Sequence, residues 1–126
     1  MPKRAPTNAE LDILRVLWQR GPSTVRAVHD SLGHAKPVGY TTVLKLLQIM
    51  TEKHLVARDA STRSHIYAAV ASQAATQRRM VADLVRRVFG GSTLGLVLHA
   101  LSATPATTRE LEQIRRLLDK RNGGHR

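Results

Sequence analysis

Apolar side chains recur at helical spacing along the first part of the chain and predict two helices before residue 33. Thr7 and Glu10 form a capping box that opens the first helix, and Gly21-Pro22 ends it. Ser23 is expected to cap the second helix. The inward-facing residues of these two helices are predicted to be Leu11, Leu14, Val16, Leu17, Trp18, Val25, Val28 and Leu32.

A turn at 33–37 leads into a third helix, predicted over residues 40–53, that has two different faces. Its core stripe follows the i, i+3, i+4, i+7 spacing and consists of Val43, Leu46, Leu47 and Met50. Its opposite face consists of Thr41, Thr42, Lys45, Gln48, Ile49 and Glu52. A short polar face with a lysine near the N-terminus is typical of a helix that enters a DNA major groove. A merely solvated face has the same pattern.

Residues 55–69 are predicted to form a β-hairpin, with strands at 55–58 and 63–69. Three basic residues lie at or near its tip, namely Arg58, Arg63 and His65. A basic hairpin directly after such a helix is the wing of a winged helix-turn-helix, whose tip contacts phosphates or the minor groove. We therefore interpret Thr41, Thr42, Lys45, Gln48, Arg58, Arg63 and His65 as DNA-binding residues.

The pattern changes after Ala69, where three further helices are predicted. They span 73–89, 92–101 and about 107–121, with Gly90-Gly91 as a break and a second capping box at Thr107 and Glu110. Three short helices this rich in leucine and valine cannot bury their apolar faces alone, and a homodimer interface is the simplest remedy. The expected dimerisation residues are Met80, Leu84, Val88, Leu94, Val97, Leu98, Leu101, Leu111, Ile114 and Leu118. The alternative is an appendage packed on residues 1–70.

The predicted fold class is therefore mainly α with a small β-hairpin wing. An N-terminal winged helix-turn-helix DNA-binding domain is expected at 1–70, and a three-helix C-terminal dimerisation domain at 71–126. The aromatic residues Trp18, Tyr40, Tyr67 and Phe89 are expected to lie mostly in the core.

Charge strengthens the DNA-binding interpretation without locating the site. The formal net charge is +11 and the sequence pI is near 11.4, as expected of a polyanion binder. Lysine and arginine are spread over both predicted domains. Aromatic residues make up only 3% of the chain, which disfavours binding modes that stack bases on exposed rings.

Candidate chemistry of other kinds is sparse. The chain has no cysteine, which removes disulfides and thiol catalysis and is compatible with a reducing cytoplasm. No histidine pair has metal-ligand spacing on one predicted helix, and no paired carboxylates or Ser/His/Asp set indicate catalysis. Neither a secretory signal nor a membrane-inserting segment is expected, since the longest apolar run, 94–101, is short and includes His99. We expect a cytoplasmic protein that is not an enzyme and has no metal or cofactor.

Four segments in order resemble the penicillinase and methicillin-resistance repressor family, the BlaI, MecI and CopY type. TNAELDILRVLW resembles the first helix of that family, YTTVLKLLQIMTEKHLV its recognition helix, and RSHIY the end of its wing. FGGSTLGLVLHAL resembles the start of its dimerisation hairpin. The resemblance runs from about Thr7 to Lys120.

The resemblance implies a homodimeric bacterial repressor that binds inverted-repeat operators in double-stranded DNA, in some systems controlling β-lactam resistance. A membrane sensor-protease that cleaves the repressor is a further implied partner. Carried over by position, Thr42 and Lys45 fall at recognition-helix contact positions and Arg63 at the wing arginine. Many relatives have glycine near His54, and a left-handed backbone is expected there.

Two departures from the family change what can be carried over. Ile49 stands where many relatives have arginine, so a phosphate contact is either missing or supplied elsewhere. The stretch that corresponds to the staphylococcal Asn-Phe cleavage site reads His99-Ala100, which argues against cleavage by that kind of protease. The copper-sensing cysteine hook of some members is excluded, since the chain has no cysteine.

Two other classes of function share these features. A basic architectural nucleic-acid-binding protein without sequence preference has the same charge but needs no ordered polar face on the third helix. A winged helix can also bind acidic protein partners.

Overall fold

A computed structural model describes residues 5–33 and 37–124 of the chain. Within those ranges the fold is mainly helical, with six helices and a three-stranded antiparallel sheet. The elements are α1 (Asn8–Arg20), β1 (Ser23–Thr24), α2 (Val25–Leu32), α3 (Tyr40–Glu52), β2 (Val56–Asp59), β3 (Ile66–Ala69), α4 (Gln73–Val88), α5 (Thr93–Ala103) and α6 (Thr108–Gly124). A hairpin that follows the third helix is the order expected of a winged helix-turn-helix.

The chain divides into two compact units, Met1–Met80 and Val81–Arg126. The first unit contains α1 to α3 and the whole sheet, and the second contains α5 and α6 together with the end of α4. The turn predicted at 33–37 includes residues 34–36, which lie outside the described residues.

Local signals at the ends of α1 are confirmed. The Thr7 hydroxyl accepts a hydrogen bond from the Glu10 amide at 3.2 Å, and the Glu10 carboxylate accepts one from the Thr7 amide at 2.9 Å. This reciprocal capping box satisfies two donors that helix geometry leaves free. Gly21 ends the helix with φ +87°, a backbone conformation that favours glycine.

The expected cap of α2 is wrong by one residue. Thr24 is the N-cap, and its hydroxyl accepts a hydrogen bond from the Ala27 amide at 3.1 Å. Ser23 instead belongs to β1, pairs with Tyr67 and donates its hydroxyl hydrogen bond to the Gly21 carbonyl at 2.8 Å. A two-residue strand is too short to show any hydrophobic period, so the sequence pattern gave no sign of β1.

The core of the first unit joins all three helices to the sheet. Its buried apolar residues are Ile13, Leu14, Val16, Leu17, Val25, Val28, Val43, Leu47, Met50, Val56 and Tyr67. The predicted α3 stripe is confirmed, since Val43, Leu47 and Met50 are each 0% exposed and Leu46 packs against them. Trp18 is half-buried and donates its indole N–H to the Ala71 carbonyl at 3.0 Å.

Two backbone hydrogen bonds cap the carboxyl end of α3, directly before the first strand of the wing. His54 has φ +63°, as predicted, and its amide donates to the Thr51 carbonyl at 3.1 Å. The Leu55 amide donates to the Met50 carbonyl at 2.9 Å, and Leu55 packs against the core. This is a Schellman motif with a non-glycine residue in the left-handed position, and it fixes where β2 starts.

The hairpin is shorter than predicted on its second strand. The ladder between β2 and β3 closes at the Asp59–Ile66 pair, so Arg63 and His65 lie in the loop 60–65 and not in a strand. The loop is turned locally, because the Ser61 amide donates to the Asp59 carboxylate at 2.9 Å. A local hydrogen bond of this kind competes with strand pairing, and β3 therefore begins further along the chain than predicted.

In the second unit the helix starts are confirmed more closely than the helix ends. Ser92 caps α5 by accepting from the Gly95 amide at 2.9 Å, and Thr107 and Glu110 form the second capping box. Helix α5 continues to Ala103, two residues beyond the prediction, and α6 to Gly124. Phe89 is half-buried, with its ring centroid 5.6 Å from that of His99.

An ion pair connects the first turn of α1 to the residue that follows α3. The Lys53 ammonium donates to both carboxylate oxygens of Glu10, at 2.8 and 3.0 Å, and Glu10 is only 2% exposed. Burial by itself raises the pKa of Glu10, but the bonds from Lys53 and Thr7 outweigh it and hold that pKa below its ordinary value of 4.5. The pair ties the start of α1 to the cap of α3.

We expect Lys53→Met to lower the free energy of unfolding by about 1–3 kcal/mol at neutral pH, because Glu10 stays buried and ionised without its cation. The pKa of Glu10 is lowered in the fold, so its stabilisation is present above about pH 4.5 and is lost as pH falls through the lowered pKa. Urea unfolding at neutral and at acid pH measures the cost of Lys53→Met and the loss of the Glu10 contribution.

The control for this prediction is Arg15→Met, which removes the exposed ion pair between Arg15 and Asp12. That change is expected to cost under about 0.5 kcal/mol. Equal costs for the two variants, or an acid sensitivity that does not depend on Lys53, contradict the prediction.

Candidate nucleic-acid interface

The outer face of α3 is fixed by the residues that α3 buries. Because successive side chains are rotated by roughly 100°, burial of Val43, Leu47 and Met50 turns the opposite side of the helix to solvent. Thr41, Thr42, Lys45 and Gln48 are all exposed on that side. Thr41, Lys45 and Gln48 follow the i, i+4, i+7 spacing and form one ridge.

Ile49 also lies on this outer face and is 37% exposed. It puts an apolar side chain beside the polar ridge, at the position where the family resemblance led us to expect arginine. Apart from Lys45, the cations of this surface lie on other elements.

An open groove of about 950 Å³ lies between α2, the start of α3 and the wing. Its lining residues are Arg20, Thr24, Val25, Arg26, Ala27, Asp30, Ser31, Tyr40, Leu44, Arg63, Ser64, His65 and Tyr67. Two predicted wing residues, Arg63 and His65, are thus brought to the same surface as the start of α3. Arg58 is exposed on β2, the outer strand, and does not line the groove.

The short strand β1 explains how this groove forms. Sheet order is β1-β3-β2, so β3 is central and pairs with β1 through Ser23–Tyr67 and Thr24–Ile66. Helix α2 begins immediately after β1, which places its first turn beside the wing.

Three residues of this surface were missed from the sequence: Arg20, Arg26 and Tyr40. Tyr40 was expected in the core, and that prediction is wrong, because Tyr40 is 41% exposed and carries the Arg26 guanidinium over its ring at 5.3 Å from the centroid. His29 contacts the same ring edge-on at a centroid distance of 6.1 Å. The inward spacing of Val25 and Val28 already leaves Arg26 on the outside of α2, and this was the available signal.

The groove is electrostatically positive. Arg20, Arg26 and Arg63 form no ion pair within the described part of the chain. The one acidic residue of the lining, Asp30, accepts a hydrogen bond from His29 at 3.1 Å. Outside the lining, hydrogen bonds from the Ser61 hydroxyl and amide hold the pKa of the Asp59 carboxyl below its ordinary value.

Other kinds of site have little support over residues 5–33 and 37–124. In those ranges no three histidine or acidic side chains gather as metal ligands, and every buried polar side-chain atom has a partner. No helix there combines the length and apolar character needed to cross a bilayer.

Known proteins that are similar to this chain show which family it belongs to. The family model described as Penicillinase repressor matches residues 6–120, nearly the whole chain. The chain belongs to the penicillinase repressor family. This family is one of transcriptional regulators and not of enzymes.

Two relatives and one solved structure illustrate the similarity of this penicillinase repressor family member. The transcriptional regulator BlaI of Mycobacterium tuberculosis is 31% identical over 118 residues, covering 92% of this chain and 84% of the relative. The penicillinase repressor of Staphylococcus aureus is 19% identical over 111 residues, covering 88% of each chain. A chain from the complex structure of hsRosR-S4 has a TM-score of 0.53 at 14% identity, covering 98% of this chain and 96% of that one. This last similarity concerns the fold alone.

Proposed function

We propose that this chain is a sequence-specific, dimeric transcriptional repressor that binds inverted-repeat operators in double-stranded DNA. The observation that carries the proposal is the outer face of α3, where Thr41, Lys45 and Gln48 form a polar ridge opposite a fully buried stripe. Its relatives are named as a transcriptional regulator and a penicillinase repressor.

The ridge has the chemistry needed to read bases. Lys45 donates to the guanine O6 and N7 acceptors of the major groove, Gln48 pairs with adenine, and the hydroxyls of Thr41 and Thr42 bond to either bases or phosphates. A rigid helix that is packed on the core suits this role, because base contacts need fixed side-chain positions.

The wing supplies contacts of a different kind. Arg63 and His65 lie in the exposed loop 60–65, and Arg58 lies on the exposed edge strand β2. Arginine side chains on such a hairpin bind phosphate oxygens or enter the minor groove. We assign these three residues to DNA-backbone contact, which sets affinity and register but not sequence preference.

Dimerisation is proposed through the exposed apolar residues of α4, α5 and α6. None of the residues on α4 and α5 is buried within the chain, and the described side chains of α6 are all exposed. Among the expected interface residues, Leu94 is 68% and Leu98 57% exposed, and only Met80 is half-buried. An apolar surface of this extent needs a cover, and a second copy provides the two-fold symmetry that an inverted repeat requires.

The proposal includes a cytoplasmic location, because the proposed ligand is operator DNA. A membrane sensor-protease partner and control of β-lactam resistance belong to the same proposal, on the strength of the family alone. The His99-Ala100 sequence argues against cleavage by a protease that requires Asn-Phe.

The alternative is an architectural DNA-binding protein without sequence preference, which the net charge of +11 favours. Selection of duplexes from a random-sequence library, followed by binding of the selected duplex and of a random duplex at several salt concentrations, separates the two. A recurring inverted repeat that is bound far more tightly than random DNA supports the repressor. Equal affinities with a steep salt dependence support the architectural protein.

We expect Lys45→Ala to weaken binding to the selected duplex by about 1–3 kcal/mol and to change binding to random DNA much less, because a base contact is lost. Fluorescence anisotropy with both duplexes measures the two affinities. Arg15→Ala, which removes a charge from an exposed site of α1 outside the groove, is the control. Equal losses on both duplexes remove Lys45 from base recognition.

Arg63→Ala is expected to weaken selected and random duplexes by similar factors and to reduce the slope of log K against log salt by about 0.9, the value for one phosphate contact. The same anisotropy titrations between low and high salt give the slope. A loss confined to the selected duplex shows that Arg63 reads bases instead.

The pair of changes Leu98→Glu and Leu118→Glu is expected to convert the dimer into monomers, because burial of two carboxylates in an apolar interface costs several kcal/mol. Sedimentation equilibrium measures the mass. Gln113→Glu, which adds the same charge at an exposed polar position of α6, is the control. A double variant that remains dimeric places the interface elsewhere.

A further inference from the structure

Arg26 is an exposed cation that is supported by an aromatic ring and has no acidic partner among the described residues. Its guanidinium carbon lies 5.3 Å from the centroid of the Tyr40 ring, and it forms no ion pair within the described residues. A guanidinium over an aromatic face is attracted to the ring while its N–H groups stay free to donate. The side chain is therefore positioned in advance for an acceptor that no described residue of the chain supplies.

The surroundings of Arg26 select the kind of acceptor. Arg20 and Arg63 line the same groove from the end of α1 and from the wing, and the only acid of the lining, Asp30, is bonded to His29. Three arginines from three elements, without an ion pair in the described part of the chain, surround one open groove and fit an extended anion better than a single carboxylate. A sugar-phosphate backbone is the extended anion that a DNA-binding protein meets there.

We infer that Arg26 is a DNA-phosphate contact held in place by Tyr40, and that the groove between α2, α3 and the wing receives one strand of the DNA backbone. The inference rests on the proposed function, since it names a further contact of the same DNA-binding surface. Neither Arg26 nor Tyr40 belongs to the polar ridge of α3.

Tyr40 gives this contact a consequence for base recognition. It is the first residue of α3 and directly precedes Thr41 and Thr42. A phosphate bound by Arg26 therefore has a fixed position relative to the amino end of this helix. The contact at Arg26 sets the depth and register of α3 in the major groove, and Tyr40 acts as a positioning residue.

The first test is Arg26→Gln, with the tightest duplex recovered from a random-sequence library and a random duplex of the same length as probes. Both affinities are expected to fall by about tenfold at physiological salt, and the salt slope to decrease by about 0.9. Arg15→Gln is the matched control, because it removes the same charge from an exposed site of the same unit outside the groove. Circular dichroism and the thermal midpoint check that each variant folds.

The second test addresses the aromatic support. Tyr40→Phe keeps the ring and is expected to bind like the original protein, whereas Tyr40→Leu is expected to lose part of the affinity that Arg26→Gln loses. Combining Tyr40→Leu with Arg26→Gln is expected to cost no more than Arg26→Gln alone, because both changes remove one contact. Fully additive losses overturn the supporting role of Tyr40.

The outcomes separate this inference from the proposed function. If the original protein prefers no duplex, the proposed repressor function fails whatever Arg26 does. If it prefers the selected duplex and Arg26→Gln behaves like Arg15→Gln, only the phosphate contact is overturned. A loss of affinity at an unchanged salt slope also overturns it, since the role of Arg26 is then structural.

Discussion

Complete burial of one stripe of α3 is the constraint on which the interface depends. Val43, Leu47 and Met50 have no exposed surface, and any rotation of the helix exposes them to water at a cost of about 1.5–3 kcal/mol for each side chain. The same packing therefore determines which residues face outward. Thr41, Lys45 and Gln48 are functional candidates because the other side of their helix cannot turn.

The ends of α3 are held by interactions with the rest of the first unit. At its carboxyl end Lys53 donates to Glu10, which also caps α1, and the following Schellman motif starts β2 in a fixed direction. At its amino end the Tyr40 ring carries the Arg26 guanidinium from α2. Helix α3 is thus fixed by its packing on the core, by an ion pair at one end and by a cation–aromatic contact at the other.

The sequence predicted those parts of the fold that depend on local or periodic signals. Both capping boxes and the α3 stripe are fixed by residues close in sequence, whereas the left-handed backbone of His54 was expected from the family resemblance. The sequence pattern did not predict the parts of the fold that depend on pairing between distant residues. Strand β1 exists because β3 provides a partner, and the exposure of Tyr40 follows from the groove beside that pairing. Arg20 and Arg26 escaped notice for the same reason, since only the fold brings them near Arg63.

The cations of the first unit are concentrated beside α3 and not on its outer face. Ile49 is an uncharged residue of the outer face of α3. Of the three residues of the polar ridge, only Lys45 carries a positive charge. Three arginines that form no ion pair within the described residues instead line the groove. In the proposed repressor they attract the DNA backbone whatever its sequence. Under the same proposal, affinity is supplied beside the helix, and sequence preference depends on a few uncharged or singly charged side chains of α3. In the proposed repressor, discrimination between duplexes then depends on how firmly the backbone contacts hold those side chains against the bases.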